Sequence, residues 1–235
     1  MQNPVIIEGL SFQEVWLKAC TMLSGRSWGC YNLIAYINNP TLFNESIHNN
    51  VINYAKTNRI LGPKDVAYTI FPFKQNKGSF LRFFNRYIHR FYPRIKTRWG
   101  TYFARMINYE NNSGNINQLK NIIQKINKRK SVSKAAYTII IQYPGMETTL
   151  KMGGPCLNYI AIQLAPGKPR KIGLLAVYRN HDFLERAYGN YWGLCLLLQF
   201  LAKKTHSKVG PITCISSHAY VDKHTKSLKL FINSL

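Results

Sequence analysis

A chain of 235 residues with 46% hydrophobic content is long enough to bury a sizeable core and too short for more than one or two domains, which excludes a disordered or fibrous polypeptide. Thirty-two lysines and arginines against nine acids leave a net charge of +23, which points to polyanions (nucleic acid, anionic lipid or phosphorylated small molecules) without choosing among them. Five cysteines at 20, 30, 156, 195 and 214 form an odd set with no CxxC pair, which excludes a disulfide framework and a zinc knuckle and predicts a reducing, cytoplasmic setting with no metal.

The segment MQNPVIIEGLSFQEV lacks a basic head followed by a long apolar stretch, so no secretory leader is expected. Ser11-Phe-Gln-Glu14 is a capping-box pattern and opens a predicted helix carrying Phe12, Val15, Trp16, Ala19, Met22 and Leu23. Gly25-Arg26-Ser27 breaks it, and Tyr31 to Ile37 reads as a strand ended by Asn38-Asn39-Pro40. Helical patterns follow at 47–58, 79–92 and 97–108.

Between Phe73 and Arg105 there are nine Lys/Arg and no acid, interleaved with aromatic residues. Such interleaving serves single-stranded nucleic-acid binders. Phe80, Phe83, Phe84, Tyr87 and Phe91 nevertheless recur at helical spacing, which weighs for rings in the core and arginines in water.

Asn111 to Gly114 is the clearest turn, and Ile116 to Ile126 has the apolar spacing of an amphipathic helix, closed by Lys128-Arg129-Lys130. Strands are predicted at Ala136–Gln142, Tyr159–Leu164 and Ile172–Tyr178. A buried helix is predicted at about 183–204, and further strands near 212–220 and 227–233. The apolar run Tyr191 to Ala202 falls well short of the roughly 20 residues a membrane span needs, so no membrane is expected as partner. The order predicts one α+β domain over 1–235, helices early and a mixed sheet late, with a long buried helix between its strands.

Gly153-Gly-Pro-Cys156 precedes the strand at 159, and by itself Cys156 reads either as a nucleophile at the mouth of a pocket or as a small core residue. Pro155-Cys156, Tyr178-Arg179-Asn180-His181-Asp182, Asn190 eight residues on, and His218-Ala219-Tyr220 follow one another in an order that resembles the motifs of the thymidylate synthase and pyrimidine hydroxymethylase superfamily. Those motifs are Pro-Cys, Tyr-Gln-Arg-Ser-x-Asp, Phe-Asn and His-Ile-Tyr. Trp99-Gly-Thr-Tyr102 and Asn117-Gln118-Leu119 are similar to the family's Gly-Pro-x-Tyr-Gly and Asp-Gln-Leu. The resemblance covers about 95–225 firmly and 1–94 loosely.

The resemblance implies a thymidylate synthase-like fold and transfer of a one-carbon unit from 5,10-methylenetetrahydrofolate to C5 of a pyrimidine nucleoside monophosphate, as methyl or hydroxymethyl. C5 of such a ring is a poor nucleophile until a thiolate adds to C6, so Cys156 is the implied nucleophile, with Arg179 both lowering its pKa toward neutrality and gripping the 5′-phosphate. Asn190 would read a uracil edge, and Asn180 stands where the family has a serine. His218 and Tyr220 would bind the sugar hydroxyl. Asp182 would orient the folate pterin, and Tyr102 would assist proton removal at C5. Each of these also has a plain structural reading, as a cap, a turn or a core aromatic.

Several positions depart from the family pattern. No Glu-Leu-Leu-Trp segment is present, and Asp65 in Lys64–Pro72 is the carboxylate on offer for proton relay. Ser133-Lys134-Ala135 retains one cation of the Ser-Arg-Arg that reaches a dimer partner's phosphate, Leu157 stands for a histidine, and Arg26 is a weak match to a phosphate-binding loop arginine. A homodimer is implied by the resemblance. The alternative is a divergent relative that binds nucleotide or nucleic acid through its basic surface.

Overall fold

The computed structural model describes residues 3–95, 99–111, 114–128, 137–147 and 153–235. Strand β1 (Val5–Gly9) leads into helix α1 (Phe12–Ser24), which carries the chain over to β2 (Gly29–Ile37), paired in parallel with β1. The capping box forms: Ser11 Oγ accepts the Glu14 amide at 3.1 Å, and Glu14 Oε2 accepts the Leu10 amide at 2.8 Å. Phe12, Val15, Trp16, Ala19 and Leu23 turn one face of α1 into the core.

Helices α2 (Glu45–Thr57) and α3 (Pro63–Ile70) follow, the second started by Pro63, whose fixed φ suits a first helical turn. Helix α4 (Phe80–Arg86) continues through a π turn at Tyr87–Phe91 and a 3₁₀ turn at Tyr92–Arg94. Helix α5 (Tyr102–Ile107) is shorter than the predicted 97–108; residues 96–98 lie outside the described residues. Phe83, Phe84 and Tyr87 are buried while Arg82 and Arg90 are exposed, the core arrangement of the basic aromatic stretch. Phe83 stacks on Phe103 at 5.3 Å.

Strands β3 (Tyr109–Asn111) and β4 (Gly114–Ile116) pair across the predicted turn, and α6 (Gln118–Lys128) buries Leu119, Ile122, Ile123 and Ile126. The remaining elements are β5 (Thr138–Ile140), α7 (Pro144–Glu147), β6 (Leu157–Ala165), β7 (Lys171–Tyr178), β8 (His181–Asp182), α8 (Ala187–Lys204), β9 (Lys208–Tyr220) and α9 (Thr225–Asn233). The predicted strand at 136–142 is realised as β5; position 136 itself lies outside the described residues.

The sheet has seven strands in the order β1-β2-β9-β7-β6-β5, with β8 beside β9. It is mixed: β9 runs parallel to β7 and β8 and antiparallel to β2, while β6 runs antiparallel to both β5 and β7. The architecture is α+β. Helix α8 is buried on nearly every side, and two glycines let α3 lie against it: a Cβ at Gly189 would stand 2.5 Å from Val66 Cβ, and one at Gly193 would stand 2.9 Å from Ile70 Cβ. Helix α8 starts at 187, later than the predicted 183, because Asp182 Oδ1 accepts the Leu184 and Glu185 amides at 2.8 and 2.9 Å and holds the intervening residues in turns.

The predicted strand at 227–233 is a correction. Leu228, Leu230 and Ile232 alternate as a strand would, yet the segment is α9, burying Leu228 and Ile232 four residues apart and leaving Leu230 73% exposed. Among the described residues no helix is long and apolar enough to cross a membrane.

Candidate active site

A cavity of about 370 Å³ opens where α3, the Trp99–Tyr102 segment, the Gly154–Cys156 loop, β8, the start of α8 and the end of β9 converge. Four cysteines are buried, and burial pushes their thiols up; Cys156 is half-buried and lines the cavity. Its loop is reached through Gly153 and Gly154, at φ +102° and +80°, a conformation that favours glycine.

The expected lowering of the Cys156 thiol toward neutrality is corrected by the geometry. Burial is the largest influence and raises it. Arg179 and then Arg186 pull it down, Asp182 pushes it up, and the net direction is upward. Arg179 is also committed to the loop: its Nη2 donates to the Gly153 carbonyl at 2.7 Å and its Nε to the Pro155 carbonyl at 3.2 Å. Among the described residues, the cation that lines the cavity is Arg186.

Tyr102 lines the cavity beneath Cys156. Its Oη accepts backbone N–H groups of Cys156 and Leu157, and burial, with the nearby sulfur, drives its phenol up to about 12, so it stays protonated and able to donate. Asp182 is held above the ordinary carboxylate range, first by burial, against the lowering effect of the two amides it accepts.

Asn190 is 3% exposed and lines the same cavity. Its Nδ2 lies 3.0 Å from His181 Nε2, and His181 Nδ1 lies 2.9 Å from Ser216 Oγ. His181 is fully buried, its pKa lowered by burial to about 3, so the ring is neutral: Nε2 accepts from Asn190 and Nδ1–H donates to Ser216. The ring is stacked on Tyr178 at 4.0 Å. Asn190 Oδ1 is buried without a hydrogen-bond partner among the described residues, an acceptor left over inside a cavity.

Asn180 joins the next pair. Its Oδ1 lies 2.8 Å from His218 Nδ1, and its side chain also bonds the Tyr220 hydroxyl, so one amide pins both residues. The amide oxygen requires Nδ1–H on His218, which leaves Nε2 as an acceptor. The His218 ring is stacked on Tyr220 at 5.2 Å and meets Tyr31, tilted by 32°, at 5.0 Å.

Cys156, Tyr102, Asn180, Asp182, Asn190 and Tyr220 therefore share one cavity, with Arg179 and His218 behind its wall. Asp65 is not brought there: it is exposed in the first turn of α3, whereas Val66 and Thr69 of the same helix face the cavity. Arg26 is exposed in the turn before β2, at the Tyr220 end of the sheet but off the cavity lining. Lys134 lies outside the described residues. Sequence reasoning missed His181, Glu185 and Arg186, all lining residues; their position within four residues of Asp182 was the available signal.

No family model matches the chain. Curated archaeal proteins do. One from Methanosarcina barkeri is 30% identical over 124 residues and one from Methanosarcina mazei 29% identical over 124, each match covering 53% of this chain and 53% of the relative. One from Methanocaldococcus jannaschii is 28% identical over 134 residues, 55% of this chain and 59% of the relative. All three bear the name "Putative thymidylate synthase". The chain thus matches over about half the length of these curated relatives, and the similarities support a distant thymidylate synthase-like relationship.

Proposed function

We propose that this cavity binds a pyrimidine nucleoside monophosphate, a uridylate in particular, and that the chain transfers a one-carbon unit to its C5 through a covalent bond between Cys156 and C6. The reading takes residues 1–235 as one thymidylate synthase-like domain, active as a cytoplasmic homodimer. The observation that carries it is the half-buried Cys156 sulfur in one cavity with Tyr102, Asp182, Asn190 and Tyr220, under the influence of two arginines.

The unpartnered Oδ1 of Asn190 accepts the N3–H of uracil, which relieves a buried acceptor of its desolvation cost. The Tyr220 hydroxyl, which Asn180 pins together with His218, binds the sugar, and Arg186 holds the phosphate while Arg179 behind it fixes the Cys156 loop. As Cys156 loses its proton, the sulfur adds to C6 and the C5–C6 π electrons move onto C5 and O4. C5 then attacks the one-carbon electrophile and gives up its proton to solvent by way of the Tyr102 hydroxyl. Release of the carrier amine would leave an exocyclic methylene on C5, to which water adds to give hydroxymethyl or a hydride returns from the tetrahydrofolate to give methyl and dihydrofolate; the electron pair so added restores the C5–C6 double bond and expels the Cys156 thiolate. The arginines stabilise the thiolate that burial disfavours.

The residues present fit a reduced folate. Asp182 offers a carboxylate acceptor to pterin N–H groups, and Trp99, also lining the cavity, offers an aromatic face. Methylenetetrahydrofolate would supply carbon at the formaldehyde oxidation level. With Asp65 outside the cavity, Glu185 is the further carboxylate available for proton transfer.

Incubation with 5-fluoro-2′-deoxyuridylate and methylenetetrahydrofolate, followed by intact mass, tests this reading. An adduct that disappears in Cys156→Ala is expected. Absence of an adduct with the fluorinated nucleotide, together with no binding of any pyrimidine monophosphate, overturns it.

A further inference from the structure

The charge of this chain exceeds what one mononucleotide requires, and much of it gathers at the opposite end of the sheet from Cys156. Helix α6 ends on Lys125 and Lys128, both exposed. The turn between β6 and β7 and the first residue of β7 add Lys168, Arg170 and Lys171. Helix α8 ends on Lys203 and Lys204, and β9 begins at Lys208.

Backbone and side-chain bonds tie these four places together. The Lys208 amide donates to the Arg170 carbonyl at 2.7 Å, Arg170 Nη2 donates to the Ile126 carbonyl at 3.2 Å, and Asn127 Nδ2 donates to the Lys204 carbonyl at 3.0 Å. Lys171 and Lys208 are partners in the β7–β9 ladder. Residues 118–128, 165–171 and 199–210 hold no Asp or Glu.

Between them lies an open cleft of about 580 Å³, lined by Asn127, Lys168, Pro169, Arg170, Thr205 and His206 among others. Strand β7 separates this cleft from the Cys156 loop: Lys171 stands at one end and Tyr178, paired with Leu157, at the other, roughly 23 Å away at about 3.3 Å per residue.

We infer that this cleft is a second site that binds the phosphate backbone of nucleic acid without reading sequence. Cations carried by four elements suit a repeating anion rather than a single phosphate, since each backbone phosphate neutralised releases counterions. Among the described residues the lining has no Phe, Tyr or Trp on which a base could stack, His206 being its one aromatic ring, and no bulky apolar side chain to enter a bilayer, which favours phosphates over bases and nucleic acid over a membrane. The inference is independent of the reaction assigned to Cys156.

The test is binding of a fluorescein-labelled 20-base-pair duplex by anisotropy across a salt series. Wild type is compared with Lys168→Ala/Lys171→Ala/Lys208→Ala and with Arg82→Ala/Arg90→Ala/Arg94→Ala, the same charge removed from the other basic stretch. The cleft variant is expected to bind tenfold or more weakly, with the slope of log K against log salt shallower by about 2–3. The second variant is expected to keep the wild-type slope, and all three proteins to share one thermal midpoint.

Failure of wild type to bind the duplex, or an equal loss in both variants, overturns the inference. So does tighter binding to phosphatidylserine vesicles than to the duplex, if the cleft variant abolishes it. Because the cleft variant keeps Cys156 and its cavity, its fluoronucleotide adduct should be unchanged whichever way the duplex experiment falls.

Discussion

Replacing His181 with glutamine separates its titration from its hydrogen bonds. The glutamine amide oxygen can accept from Asn190 Nδ2 and its NH₂ can donate to Ser216 Oγ, so the cavity wall keeps both links and loses chiefly the stack on Tyr178, worth about 1 kcal/mol. The folded chain holds His181 at about 3, against an ordinary 6.5. Between those values the imidazole takes its proton only on unfolding. Its contribution to stability is therefore complete above pH 6.5 and falls by about 1.4 kcal/mol per pH unit down to about pH 3. The loss is about 2 kcal/mol at pH 5 and about 4–5 kcal/mol over the whole range. His48, lowered by burial, acts in the same direction; Asp182, raised by burial, favours the folded state as pH falls and acts against them. Only the difference between the two proteins isolates His181. Urea unfolding at pH 7.5 and pH 5 should show a decrement about 2 kcal/mol smaller in His181→Gln than in wild type. Identical decrements would refute the buried neutral imidazole.

Gly189→Ala places a methyl group 2.5 Å from Val66 Cβ and should cost about 1–3 kcal/mol in thermal or urea unfolding, even though alanine gains about 1 kcal/mol in helix propensity. Gly25→Ala, whose new Cβ meets no atom closer than 3.6 Å, should be nearly neutral. Arg186→Gln removes a charge that lowers the Cys156 thiol, so the pH profile of iodoacetamide alkylation at Cys156 should move to higher pH, and Arg186→Lys should move it back toward wild type.

The legible parts of the fold were those whose signals are local. The Ser11–Glu14 cap, the apolar face of α6 and the length of α8 follow from side chains within a turn or two of one another. Strand β1 went unread because Val5-Ile-Ile7 is short and takes its identity from pairing with Leu33, Ile34 and Ala35 far along the chain. Helix α9 was misread because its alternation carries period-2 and period-4 signals at once, and only packing at Leu228 and Ile232 chooses between them. At the cavity, ordered motifs brought Cys156, Asn180, Asp182, Asn190 and Tyr220 to attention. Arg186 and Glu185 carry no motif, and the exposure of Asp65 depends on which side of α3 meets α8.

The glycines at 189 and 193 also bear on how this chain can diverge. The helix they seat carries Val66 and Thr69, which wall the cavity, so a mutation that thickens either helix at the crossing reshapes the ligand chamber as well as the core. Drift along α8 should therefore be tolerated mainly in step with compensating change along α3. The two helices should covary as a unit through evolution, while the Gly153–Cys156 loop is held independently of them, by Arg179 and by its two left-handed glycines.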